Sequence, residues 1–92
     1  MTAARREEIA RRLYEAREDL GLSQGELATD TGVIRSSISR YESGERVPSA
    51  KTMRKLGNAL GKSVAYLRAS DFREETNGTG RADQGSEDER AE

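Results

Sequence analysis

The 92-residue sequence contains no cysteine, no histidine and no tryptophan, with a single proline and a single phenylalanine. Without cysteine neither disulfides nor thiolate metal sites can form, and without histidine the commonest metal ligand and general base is missing as well. Packing alone must hold such a chain together. No run approaches the roughly 20 apolar residues that span a bilayer, and Met1 to Arg6 leads into an amphipathic pattern instead of the apolar stretch of a signal peptide. These features point to a soluble cytoplasmic protein with no membrane partner, and to no cofactor and no metal. Catalysis has little to work with. A nucleophile would need a lysine or carboxylate as its base, and Lys51, Lys55 and Lys62 all fall at polar positions of the pattern, so no enzymatic activity is expected.

What is present is unevenly charged. Residues 1–70 carry 13 Lys/Arg against 9 Asp/Glu, whereas residues 71–92 carry 3 against 8. The whole chain has a net charge of −1, but a body at +4 is followed by a tail at −5. A polyanion feels the local field within about 8–10 Å, so the body is the relevant unit. The division predicts a domain at 1–70 and an extension at 71–92. Beyond Phe72 no aliphatic side chain larger than alanine occurs. Such a segment cannot offset its ordering entropy, and the acidic tail is expected to be disordered.

Within the body, apolar residues recur at helical spacing. Ile9, Leu13, Ala16 and Leu20 form one stripe, stopped by Gly21. Ser23 and Glu26 make a capping box for a short second helix with Leu27 and Ala28 inward, ended by Asp30-Thr31-Gly32. A third helix is predicted from Ile34 or Arg35 to Tyr41, with Val33, Ile38 and Tyr41 inward and Arg35, Ser36, Ser37, Ser39 and Arg40 on or beside its outer face. After a loop from Glu45 to Pro48, Ser49 caps a fourth helix bearing Met53, Leu56 and Leu60, and Ser63 caps a fifth bearing Val64 and Leu67. The expected architecture is all-α, with five helices around one small core.

The stretch Leu22–Pro48 carries the functional signal. Two short helices meet steeply only where the turn holds a glycine and the first helix offers a small residue to the second, and Gly32 and Ala28 meet those demands. Such a pair holds the second helix clear of the body, where its N-terminal half can enter a groove about 12 Å wide. Arg17, Gly21-Leu22-Ser23-Gln24, Glu26-Leu27-Ala28, Gly32-Val33, Ser36, Ile38-Ser39, Tyr41-Glu42, Gly44 and Arg46-x-Pro48 stand in register, followed by Leu56, Ala59-Leu60-Gly61 and Leu67. This set resembles the helix-turn-helix of the lambda-repressor-like family, also called Cro-like or xenobiotic-response-element-type, over about residues 5–70.

The resemblance implies a transcriptional regulator, of repressor type, that binds a near-palindromic duplex operator as a weak homodimer. Gln24 would touch a phosphate or flanking base from the start of the second helix. Arg35, Ser36 and Ser37 would read bases, with Arg35 bidentate to guanine. Arg40 would reach a base edge or the backbone, and Ser39 and Arg46 would contact phosphates. Arg17 and Glu42 resemble a structural pair joining the first and third helices. Three departures stand out. Ile34 replaces the Ser or Thr cap, and either meets a thymine methyl or folds back on the body, while Gly25 and Gly57 replace helix-favouring residues at a cost of up to about 1 kcal/mol each. An alternative function is an antitoxin that binds its own operator and holds a protein partner through the acidic tail. Any dimer would use the exposed side of helix five, the Tyr66 region or Phe72.

Overall fold

A computed structural model describes residues 2–73. The expected disorder of the acidic tail, and its role towards a protein partner, fall on residues 74–92 and lie outside the described residues. Among the described residues there are five helices and no strand: α1 (Ala3–Asp19), α2 (Gln24–Thr31), α3 (Arg35–Ser43), α4 (Ala50–Leu60) and α5 (Val64–Leu67).

Each start except that of α3 is set by a hydroxyl cap. Thr2, Ser23, Ser49 and Ser63 accept from the backbone N–H three residues on, and Glu26 returns the bond to complete the box at α2. The stripe of α1 buries Ile9, Leu13 and Ala16 as predicted, together with Ala10 and Arg17. Leu20, expected to continue that stripe, is exposed. The reason is local: α1 stops at Asp19, and Leu20 sits in the closing turn, where Gly21 N donates to Glu18 O and Leu22 N to Arg17 O.

The core is formed by Ile9, Leu13 and Ala16 of α1, Leu27 of α2, Ile38 and Tyr41 of α3, Met53, Leu56 and Leu60 of α4, and Leu67 and Ala69. Helix α1 packs on α3 and α5, α2 on α3 and α4, and α4 on α5. Gly57 explains itself here: a Cβ at this position would lie 2.6 Å from the carbonyl oxygen of Lys62, so the α4–α5 turn closes directly onto the helix backbone.

Packing continues past α5. Phe72 is half-buried against the core, and Asp71 pairs with Arg12 at 2.9 Å. Arg12 also donates to Tyr66 O and lies over the Tyr66 ring, while Arg5 donates twice to Arg68 O. Burial works against the charge of Arg12, but its hydrogen bonds to Glu8 and Asp71 prevail and raise its pKa. The same contact to Arg12 is the main reason that Glu8 titrates below the usual carboxylate range. Of the surfaces considered for self-association, Phe72 is therefore largely committed to the fold, whereas Tyr66 keeps an exposed edge.

Candidate nucleic-acid interface

The α2–α3 turn is built by Gly32, whose φ of +77° is a left-handed conformation that any side chain would strain. Its N–H donates to Ala28 O at 2.8 Å, and Thr31 Oγ1 bridges Leu27 O and Val33 N, so the chain reverses within three residues. Helix α3 then starts at Arg35 without a side-chain cap, because Ile34 occupies the N-cap position. It runs two residues beyond the predicted end at Tyr41, to Ser43, where Gly44 at φ +84° closes it.

One face of α3 is fixed to the body. Ile38 and Tyr41 are in the core, and Glu42 receives Arg17 in a two-pronged ion pair, Nε to Oε2 at 2.7 Å and Nη2 to Oε1 at 3.0 Å. The side chains of Arg17 and Glu42 are only 8% and 6% exposed. Arg17 Nη1 also donates to Leu22 O at 2.6 Å, and Gln24 Nε2 donates to Glu42 Oε1 at 3.1 Å. These bonds tie the end of α1, the start of α2 and the last turn of α3 into one network. The hydrogen bond to Glu42 is the main cause of the raised pKa of Arg17.

The opposite face of α3 is open. Arg35, Ser36, Ser39 and Arg40 line a shallow cleft whose other walls are Gln24 and Glu45. Five of the eight residues singled out from sequence are thus brought together. The stem of Arg35 runs beside α2, its Cδ 4.0 Å from where a Cβ on Gly25 would stand, so glycine there leaves the arginine room at ordinary contact distance. Ile34 stands at the tip of α3 with 70% of its surface exposed, which excludes the alternative that it folds back on the body. Ser37 is half-buried behind the open face, and its N–H donates to Ile34 O. Arg46 lies past the end of α3 on the loop, exposed, its N–H bonded to Arg40 O.

Glu45 is the cleft residue that sequence reasoning missed. Helical periodicity does not place it there; the closure of α3 does, since Glu45 N donates to Arg40 O at 3.0 Å while Gly44 N donates to Tyr41 O at 3.3 Å. A glycine three residues past an aromatic at a helix end, Tyr41 and Gly44, was the available signal, because this type of closure returns the residue after the glycine over the last turn.

A family model described as helix-turn-helix matches residues 13–67. Over 56 residues the chain is 39% identical to an SPbeta prophage-derived uncharacterized HTH-type transcriptional regulator of Bacillus subtilis, covering 61% of this chain and 52% of that protein. Over 59 residues it is 37% identical to an uncharacterized HTH-type transcriptional regulator of Haemophilus influenzae, covering 64% and 60%. It is also 35% identical over 63 residues to the HTH-type transcriptional regulator ImmR of Bacillus subtilis, covering 68% and 50%. The match therefore spans about half to three fifths of the length of these relatives. No solved structure matches the chain.

Proposed function

Because the chain belongs to the helix-turn-helix family of the lambda-repressor-like type, we propose that it binds duplex DNA with sequence preference and regulates transcription as a repressor, by occupying an operator. The observation that carries this reading is the two-sidedness of α3: one face is locked to the body by Ile38, Tyr41 and the Arg17–Glu42 pair, while Arg35, Ser36, Ser39 and Arg40 face outward in one cleft with Gln24. A helix held this way can lie in a major groove without distortion of the domain.

The roles follow from chemistry. Arg35 offers a fork that fits guanine O6 and N7, and Ser36 supplies a short hydroxyl that bonds several base edges, with Ser37, half-buried, at the margin of that surface. Ile34, exposed and branched, suits a thymine methyl. Ser39 and Arg46 contact phosphates and set register. Gln24 keeps a second amide N–H beyond the one given to Glu42, enough for a phosphate or a flanking base. The reading unit is the body predicted at residues 1–70 together with Asp71 and Phe72, which pack onto it, and the acidic extension follows. One such helix covers about four to six base pairs, so useful specificity requires a homodimer, weak until it assembles on two half-sites roughly 10 bp apart. The site of action is the cytoplasmic nucleoid.

The test is selection of bound duplexes from a random library by the purified chain, repeated with Arg35→Ala. The expected result is an inverted repeat with a G·C pair in each half-site whose preference falls by about 5- to 150-fold in the variant. An unchanged motif would remove Arg35 from the reading role, and no motif at all would overturn the function.

A further inference from the structure

Among the residues that line the cleft, Glu45 alone carries a negative charge. Its place does not depend on a wandering loop. Arg40 O accepts from Glu45 N at 3.0 Å, from Arg46 N at 3.3 Å and from Ser43 Oγ at 3.0 Å, so the backbone of residue 45 is held against that of residue 40. From there the Glu45 carboxylate lies 3.9 Å from Arg40 Nε. The two side chains are 66% and 48% exposed, which makes the contact a poor stabiliser of the fold. A carboxylate carried on a surface that faces a polyanion opposes binding unless it serves another purpose.

We infer that Glu45 is a positioning residue that directs Arg40 to a guanine edge and away from the phosphate backbone. The inference rests on the DNA-binding reading given above, and it resolves which of two partners Arg40 takes. A phosphate carries a full negative charge, so bringing Arg40 to it also brings Glu45 close to it, and repulsion cancels part of the attraction. The O6/N7 edge of guanine carries no net charge and meets no such penalty. The carboxylate faces Nε, which leaves the two terminal nitrogens of the guanidinium to form the bidentate contact.

The experiment uses the full chain and four proteins: wild type, Glu45→Gln, Arg40→Gln and the double variant. Each is taken through selection from random duplex DNA, and its affinity for random-sequence duplex is then measured from 50 to 200 mM salt. Glu45→Gln is expected to bind random duplex about 3- to 10-fold more tightly, with a log–log salt slope steeper by about one. Its preference at one G·C position per half-site, the position lost in Arg40→Gln, falls by about 10-fold. In the Arg40→Gln background the same change alters general affinity but no base preference. A tighter Glu45→Gln protein with every base preference intact overturns the inference. So does a Glu45→Gln change that still removes a base preference when Arg40 is already gone, because Glu45 would then be reading the base itself. A wild-type protein that selects no motif removes the DNA-binding reading along with it, an outcome distinct from both.

Discussion

Helix α3 contributes one residue to each of two arginine–glutamate pairs that use the same groups in opposite settings. Arg17–Glu42 is buried and two-pronged, with a carbonyl accepting from Arg17 and a glutamine amide donating to Glu42. Arg40–Glu45 is exposed, one-sided and 3.9 Å apart. In the first, little water reaches the groups, so loss of Arg17 leaves Glu42 without a counter-charge, whereas loss of Glu42 leaves Arg17 with Glu18 at 3.4 Å. In the second, water and salt stand ready on every side, and loss of a partner costs the fold almost nothing. An ion pair's contribution is thus decided by its surroundings more than by its chemistry: the buried pair fixes the direction in which α3 points, and the exposed one bears on what α3 meets.

The largest effect is expected at the buried pair. Arg17→Ala leaves Glu42 uncompensated and should destabilise the domain by about 3–5 kcal/mol, lowering Tm by more than about 10 °C in thermal unfolding followed by circular dichroism. An unchanged Tm would show that the pair does not hold α3. Gly57→Ala comes next: its Cβ would meet the Lys62 carbonyl at 2.6 Å, and relief of that clash should cost about 1–3 kcal/mol. Because position 57 is remote from the cleft, any DNA motif selected by the wild type should survive in this variant, which separates a loss of stability from a loss of reading. Arg35→Ala and Glu45→Gln should do the reverse, shifting stability by less than about 0.5 kcal/mol while altering selection.

The smallest effect is a pH dependence. Glu8, held below the usual carboxylate range chiefly by Arg12, contributes stability that is present above its unfolded pKa of 4.5 and is lost as the pH falls through the lower folded value. Tm should therefore decline as the pH is taken from 5 to 3, and Glu8→Gln should make that decline shallower by about 0.5 kcal/mol or less. A variant with the wild-type slope would place the acid-sensitive contact elsewhere.

Most of the fold was legible because its signals are local. Ser23 with Glu26, the hydroxyl caps at Ser49 and Ser63, and glycine at the helix ends are written within three or four residues of the boundaries they set. Where the sequence misled, the controlling interaction was either a helix end or a choice of side-chain conformation. Leu20 keeps the spacing of a buried stripe but falls in the turn after α1, so periodicity counts it wrongly. Gln24 was expected to face outward, and its amide instead turns partly towards Glu42, which only the folded arrangement of α1, α2 and α3 brings within reach. Glu45 enters the cleft through the backbone closure after α3, which helical periodicity does not detect. The outward set Arg35, Ser36, Ser39 and Arg40 was readable because Ile38 and Tyr41 fix the inner face by elimination.

Ile34 has a thermodynamic consequence of its own. An isoleucine that is 70% exposed at the tip of a helix keeps an ordered water shell that any complementary apolar surface will strip away. Association that covers it should register as a negative heat-capacity change in calorimetry, a quantity to which neutralisation of phosphates contributes little. As salt rises and the arginines lose their leverage, this one side chain should account for a growing share of whatever affinity is left.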